Sequence, residues 1–379
     1  MTKFTAAADL KRRLTIVMPS AEPTGGAEEA FLQFIRSSKV ESLSLQVCFL
    51  ERGSLERETE RLGILTCFVE IGRTREIGKW WRAAGKIANF ACSFNADCIL
   101  GWMTKGHVYG GLAAWRAGIP AAWFQMGLPE SGLLDRVARR LPAKTVLACS
   151  EYVAKLQRLA QPRVPVIAVP LGVDLTRFQA VRSIDPAQAR HQVGLRNIGP
   201  IIGIVGRLQA WKGMHVLINA MPEVLRHYPM AQCVIVGGPF PAEPDYPRRL
   251  SQQVIKLGLQ SHVQFAGMQR NVPLWMQAMD IIVHASDREP FGIVVVEGLS
   301  LGRPVIATTP GGPDEIIKDG VNGFLVRFGD PSTLADRIIQ ILRKPLLFDS
   351  EATHFSSLKY TDEAFAERTV VAIEAILRK

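Results

Sequence analysis

Two carboxylates eight residues apart, Glu289 and Glu297, bracket the run Glu289-Pro-Phe-Gly-Ile-Val-Val-Val-Glu297 and stand in different settings. Pro290 and Gly292 favour a turn or the mouth of a helix, and Ile293 to Leu299 continue with helix-like apolar spacing. Glu289 is therefore expected in a loop beside the exposed backbone N–H groups of that helix start. Glu297 is expected about two turns further in, at roughly 1.5 Å per residue. A sugar ring and the ribose of its nucleotide could bridge the two acids, with the phosphates over the helix N-terminus between them. The spacing alone equally describes two acids flanking an ordinary buried helix. Two cations upstream bear on the choice. Ile201-Ile-Gly-Ile-Val-Gly-Arg-Leu208 reads as a buried strand ending in a turn, followed by Trp211-Lys212-Gly213 and a helix pattern. Arg207 and Lys212 are thus expected at the C-terminal end of a strand, where open α/β sheets bind ligands. Arg can grip a pyrophosphate bidentately, while Lys acts as a point charge. Thr308-Thr-Pro-Gly-Gly-Pro-Asp-Glu315 and Asp319-Gly-Val-Asn-Gly-Phe324 form a second Gly-rich strand exit.

The elements that must position these groups alternate along the chain. Strand-like runs are read at Leu14–Met18, Leu43–Leu50, Ala96–Gly101, Pro120–Phe124, Thr145–Cys149 and Val166–Val169, separated by helical stretches. A second series follows at Ile201–Val205, Cys233–Gly237, Val263–Ala266, Ile281–His284, Val305–Thr308 and Phe324–Val326. The fold class is α/β, with two doubly wound halves facing across a cleft. Residues 170–196, rich in charge and loop signals, read as the hinge, and Asp362 to Leu377 as a C-terminal helix.

At 379 residues, 47% apolar and 21% charged, the chain has room for two ordinary domains with sizeable cores. Its six cysteines are scattered without a Cys-x-x-Cys pair, which points to a reducing compartment and away from a zinc site or disulfide framework. Met1 to Arg13 is polar and basic without the apolar stretch of a signal peptide, and no uncharged run reaches membrane-spanning length. A cytoplasmic protein is the expectation from these features. The net charge of +10 is uneven: residues 1–172 carry 23 Lys and Arg against 15 Asp and Glu, a surplus of 8, and the rest a surplus of 2. An anionic partner such as a phospholipid surface accounts for that, as does solvated surface. Nucleic acid is set aside, since no basic helix interleaves base-stacking aromatics.

Three further places invite a functional reading. Gly25-Gly26 follows the first strand and precedes a helix, so its backbone could approach a phosphate or sugar, or simply turn. Ile77 to Phe90 lines Ile77, Trp80, Trp81, Ala84, Ile87 and Ala88 along one helical face, which describes a helix packed on its own sheet or an interfacial one. Asp135 to Lys144 is a second basic stretch and the better membrane candidate of the two. His107 follows the strand ending at Gly101, as a cleft residue touching ligand or as a residue of a loop or helix start.

The motifs together resemble one family, the retaining nucleotide-sugar glycosyltransferases of family 4, which have the GT-B fold. The matching residues are Gly206-Arg207-Leu208, Lys212-Gly213, Glu289-Pro-Phe-Gly, Glu297, Gly302-Arg-Pro304, Gly311-Gly312 and Asn322-Gly323, with Pro170-Leu-Gly-Val-Asp174 and Gly25-Gly26-Ala-Glu28 matching more loosely. The resemblance implies an acceptor-side Rossmann-like domain at 1–172, a hinge at 173–196, a nucleotide-sugar domain at 197–358, and a helix at 359–379 packing back on the first domain. It implies sugar transfer from a nucleoside-diphosphate sugar, which is a substrate and not a cofactor. The acceptor would be lipid-linked, a saccharide or another small molecule, in cell-surface polysaccharide or glycolipid synthesis at the inner face of a membrane. Arg207 and Lys212, with the backbone N–H groups around Gly292 and Ile293, would stabilise the departing diphosphate, so that no metal is called for. Glu289 would orient the donor sugar and Glu297 hold the ribose, while Gly25, Gly26 and Phe291 complete the donor contacts. Retention would come from front-face attack within an ion-pair-like state.

One position departs from the family pattern. Many relatives carry His-Gly where Ala121-Ala-Trp-Phe-Gln125 ends in Met126-Gly127, and a thioether accepts hydrogen bonds weakly and exchanges no protons. Gln125 or His107 substitutes for the missing imidazole, or the site is altered. Two other readings therefore stay open: a sugar-nucleotide epimerase on the same scaffold, and a degenerate protein that binds nucleotide-sugar without turnover.

Overall fold

The computed structural model describes residues 11–23, 25–72 and 76–378. The basic stretch Met1–Arg13 thus lies outside the described residues as far as residue 10, as do Thr24 of the first loop, Lys379 and the side chain of Ile77. The chain divides into two compact units, Met1–Gly172 with Asp362–Lys379, and Val173–Thr361.

The first unit is built on seven strands: β1 (Arg12–Met18), β2 (Leu43–Phe49), β3 (Leu65–Phe68), β4 (Cys98–Trp102), β5 (Ala121–Gln125), β6 (Thr145–Ala148) and β7 (Val166–Ala168). They pair in parallel in the order β3-β2-β1-β4-β5-β6-β7. β4 and β5 are buried along their whole length, as strands covered by helices on both faces must be. β3 escaped the sequence reading because it is a four-residue edge strand, Leu65-Thr-Cys-Phe68, without a fully buried position.

The second unit holds β8 (Ile201–Val205), β9 (Gln232–Val236), β10 (Val263–Gly267), β11 (Ile281–His284), β12 (Val305–Thr309) and β13 (Gly323–Arg327), all parallel, in the order β10-β9-β8-β11-β12-β13. Strand order reverses between β1 and β4 in one sheet and between β8 and β11 in the other, the place where such sheets bind ligands. Gly203, mid-strand in β8, admits Met279: a Cβ there would stand 2.0 Å from its Sδ.

Residues 173–196 are not an irregular linker. They fold as helices Thr176–Arg182 and Pro186–Gln192 and belong with the second unit. The polar residues that read as loop signals are caps: Asp185 Oδ1 accepts from the backbone N–H groups of Ala187 (2.8 Å) and Gln188 (3.3 Å), with Pro186 opening the helix. Helix Asp362–Leu377 belongs with the first unit, where Ser37 Oγ donates to Glu363 Oε2 at 2.9 Å and Phe365 meets Phe124 with ring centroids 6.0 Å apart.

Gly213 shows how tightly the exits of β8 and β11 are joined. Its φ is +75°, and a Cβ there would lie 1.8 Å from the carbonyl oxygen of Ala285. Gly213→Ala is expected to destabilise the second unit by about 2 kcal/mol or more, through overpacking and left-handed strain. Thermal unfolding checks this; an unchanged melting temperature would mean that the two exits separate freely.

Candidate active site

The loops leaving β8, β11 and β12 converge on Glu289. Its Oε2 accepts from Lys212 Nζ at 2.7 Å and from His284 Nε2 at 3.1 Å, and Ser286 Oγ lies 3.3 Å from the same imidazole nitrogen. The side chains are 12% (Glu289), 18% (Lys212) and 4% (His284) exposed, so the carboxylate is clamped with little water around it. Because the carboxylate only accepts, Nε2 of His284 carries the proton. Glu289 Oε1 has no partner among the described residues, which leaves one oxygen able to accept from a hydroxyl. Burial by itself would raise the Glu289 pKa; the Lys212 charge and the His284 hydrogen bond more than offset it and hold the carboxyl well below its usual range.

Backbone contacts fix the loops that carry these groups. The Asp287 N–H donates to the Trp211 carbonyl at 2.7 Å, and the Gly312 N–H to the Glu289 carbonyl at 2.7 Å. A Cβ at Gly312 would sit 2.4 Å from Phe291 Cα, so this Gly-rich exit serves close approach. Lys212 also lies over the Trp211 ring at 4.0 Å.

Gly292 caps helix Ile293–Ser300 with φ +109°, and Ile293 is its first residue. Glu297 lies within the helix, one turn past its start, and Phe291 is buried against Tyr360 with centroids 5.6 Å apart. Arg207 is exposed beyond β8, its guanidinium 5.0 Å from the Phe240 centroid, and forms no ion pair with Glu289 among the described residues. The clamp therefore joins Lys212 and Glu289 of the expected set, and the expected Gly311-Gly312 exit reaches it through the Gly312 N–H, while His284 and Ser286 had no expected role. The available signal was a histidine ending the apolar run Ile281–His284, five residues before the acid. Asn322 is structural: its Oδ1 accepts from Lys318 N–H at 2.8 Å and its Nδ2 donates to the Ile316 carbonyl at 3.2 Å.

The remaining candidates lie in the first unit. Gly25 and Gly26 stand at the start of helix Gly26–Arg36. Gln125 and Met126 line a pocket of about 430 Å³ beyond the C-terminal ends of β1, β4 and β5, together with Thr104, Lys105 and Asp135. Thr104 Oγ1 lies 3.1 Å from Gln125 Oε1 and 3.4 Å from Asp135 Oδ1. One hydroxyl hydrogen cannot serve both; Thr104 can donate to Asp135 while the Gln125 amide, whose Nε2 is otherwise unpartnered, turns to donate to the hydroxyl, and burial raises the Asp135 pKa from its ordinary value. His107 is outside this pocket. It sits inside helix Met103–Ala117, fully buried and stacked on Trp123 at 5.0 Å and 3°, neither a cleft residue nor part of a loop or helix start. Burial pushes its pKa down to about 3, so it stays neutral. Among the described residues no three His, Cys, Asp or Glu side chains group as metal ligands do.

Residues 187–357 match the family model of glycosyl transferases group 1. The match lies wholly within the second unit, Val173–Thr361. A D-inositol 3-phosphate glycosyltransferase of Frankia alni is 36% identical over 189 residues, 48% of this chain and 45% of that protein. The protein of that name from Nocardia farcinica is 31% identical over 263 residues, 64% of this chain and 56% of its own length. The chain spans about half the length of these curated relatives. Among solved structures, Anabaena HepE in complex with UDP and glucose aligns with a TM-score of 0.81 at 25% identity, over 96% of this chain and 99% of that one. The two parallel-sheet units are thus Rossmann-like domains of the GT-B kind.

Lys212→Ala leaves the second unit with a buried carboxylate stripped of its counter-charge. It is expected to destabilise by about 3–5 kcal/mol, with most of the loss recovered in Lys212→Ala/Glu289→Gln. Urea unfolding measures both, and a single variant as stable as wild type would contradict burial of the pair. The sign of the pH dependence follows from the lowered pKa. Glu289 contributes fully above its ordinary value of 4.5, and the contribution drains as pH falls below that. The urea midpoints of wild type and Glu289→Gln should therefore converge as pH drops from about 6 to about 3.

Proposed function

We propose that the chain transfers a glycosyl group from a nucleoside-diphosphate sugar to a hydroxyl acceptor, with retention at the anomeric carbon, as a family 4 enzyme of cell-surface polysaccharide or glycolipid synthesis. The observation that carries this is the Glu289 clamp at the switch point of a domain matching glycosyl transferases group 1. The clamp holds one carboxylate oxygen still and leaves the other to accept from a sugar hydroxyl, which is what donor positioning needs. HepE, crystallised with UDP and glucose, supports a nucleotide-sugar donor and makes uridine diphosphate sugars the first to try.

In this reading the bond between C1 and the β-phosphate oxygen breaks, and the diphosphate leaves with the electron pair. The acceptor oxygen bonds C1 from the same face, and its proton passes to the departing phosphate oxygen. Arg207, Lys212 and the N–H groups at Gly292 and Ile293 meet the growing negative charge, while Glu297 holds the ribose. The pocket of the first unit takes the acceptor, with Gln125, Thr104 and Asp135 offering donors and acceptors to its hydroxyls. With His107 in the core, Gln125 is left to supply the polar contact that Met126 cannot.

Incubation with nucleotide sugars and candidate acceptors tests the proposal. Release of nucleoside diphosphate with a retained glycoside supports it; inversion at C2 of the sugar would instead mark an epimerase, and donor binding without product a degenerate protein. Within an active enzyme, Glu289→Gln should lower kcat strongly, whereas Glu297→Gln should mainly weaken donor affinity. Steady-state kinetics separates the two, and the reverse pattern would exchange their roles. Gln125→Ala should cost roughly 2- to 10-fold in turnover, as expected for one hydrogen bond, while Met126→His should be neutral or harmful. A clear gain from Met126→His would show that Gln125 compensates for nothing.

A further inference from the structure

The pocket beyond the C-terminal ends of β1, β4 and β5 is charged oppositely to the unit that holds it. Residues 1–172 carry a surplus of 8 cations. The lining of the pocket carries Glu51, Glu130 and Asp135 against Lys105 alone. Lys105 is already engaged, since its Nζ donates to Glu51 Oε1 at 2.8 Å. Arg52, next to Glu51 in the chain, pairs instead with Glu56 at 2.9 Å and covers the Phe68 ring at 4.5 Å. Arg139 donates to the backbone carbonyl of Glu130 at 3.0 Å and lines the groove at the other edge of the sheet. Glu130 and Asp135 form no ion pair among the described residues. Glu28, beside the lining Ala27, is 6% exposed and likewise forms none.

Backbone geometry holds these groups in place. Trp102 ends β4 fully buried, and its Nε1–H donates to the Ala27 carbonyl at 2.9 Å, which ties the exit of β4 to the start of helix Gly26–Arg36. Met103 then takes a left-handed φ of +61°, a strained conformation for a residue with a side chain, and Thr104 and Lys105 follow at the pocket wall. The start of helix Met103–Ala117 would by itself favour an anion, but Thr104 already brings the Asp135 carboxyl to it. An entering phosphate or carboxylate would therefore meet like charges and find no uncommitted cation in the lining. Hydroxyls fit better. Carboxylate oxygens accept from them, Gln125 and Thr104 can both donate and accept, and Met126 and Leu134 offer apolar surface to the C–H face of a ring.

We propose, resting on the transferase reading of this site, that the pocket selects an acceptor sugar ring substituted by hydroxyls and refuses one that carries a phosphate or a carboxylate. The selection acts on the ring that enters, not on charges further along a longer acceptor. Saturation-transfer NMR on the full chain, with uridine diphosphate present, tests it. The probes are the methyl glycosides of glucose, galactose and mannose, each beside its 6-phosphate and its C6 carboxylate. At least one neutral ring should bind about 10-fold or more tightly than its anionic counterparts, because juxtaposed like charges are strongly unfavourable. Glu51→Gln/Glu130→Gln removes two exposed negative charges and releases Lys105. It should shrink the neutral-to-anionic affinity ratio by roughly 10-fold, a change in discrimination that a merely structural role would not produce. Gln125→Ala should weaken the neutral ring, as it must if the ring lies in this pocket. An anionic ring bound as tightly as its neutral partner, a ratio unmoved in the double variant, neutral binding indifferent to Gln125→Ala, or no binding by any ring would each overturn the proposal. Turnover is read separately. Rings bound with this preference, but no nucleoside diphosphate released from any nucleotide sugar, would support the pocket's selectivity and overturn the transferase reading instead.

Discussion

A carboxylate that is nearly dry must be compensated on the spot, and that requirement at Glu289 organises the second unit. Lys212 arrives from the turn after β8 and His284 ends β11, and both reach one oxygen. Neither element can shift by an ångström without stranding the charge. The glycines follow from this constraint: Gly213 lets the first loop touch Ala285, and Gly312 lets the third come within reach of the Glu289 carbonyl. The loops are thus held by a chain of short polar contacts, and only then can a ligand find its partners already in place.

Much of this was legible in the residues. Apart from the largely exposed edge strand β10, the strands of the second sheet announced themselves as buried apolar runs closed by glycine or a polar residue, and Glu289-Pro-Phe-Gly declared a helix mouth with its cap. Parallel strands covered on both faces are the easiest elements to read, because no alternation with polar residues confuses them. What the sequence hid was mostly partnership. His284 looked like the last residue of a strand, since nothing in a linear pattern tells which side chains meet across three loops. The Asp185-Pro186 start of the Pro186–Gln192 helix looked like linker, because Asp and Pro serve turns and helix starts alike. His107 could not be placed by spacing, and only the Trp123 ring beside it explains an imidazole in the core.

The first unit separates its chemistry by edge. Beyond the C-terminal ends of β4 and β5, polar side chains converge in a small pocket, where Thr104 stands between an amide and a buried acid. Before the N-terminal ends of β5 to β7, cations and the Trp115 indole share an open groove with no acidic side chain among its lining residues. A parallel sheet makes this division natural, since all of its strands leave on the same side.

The order in which the elements leave the ribosome sets a further condition. The first unit is interrupted by the 189 residues of Val173–Thr361 before helix Asp362–Leu377 arrives to bury Phe365 against Phe124. At synthesis rates of about 5–20 residues per second, the nascent first unit waits roughly 10–40 s with that apolar seat uncovered. Meanwhile the second unit emerges as one uninterrupted segment able to fold behind it. The seat for the late helix is therefore a place where a chaperone, or another nascent chain, competes with the protein's own last helix.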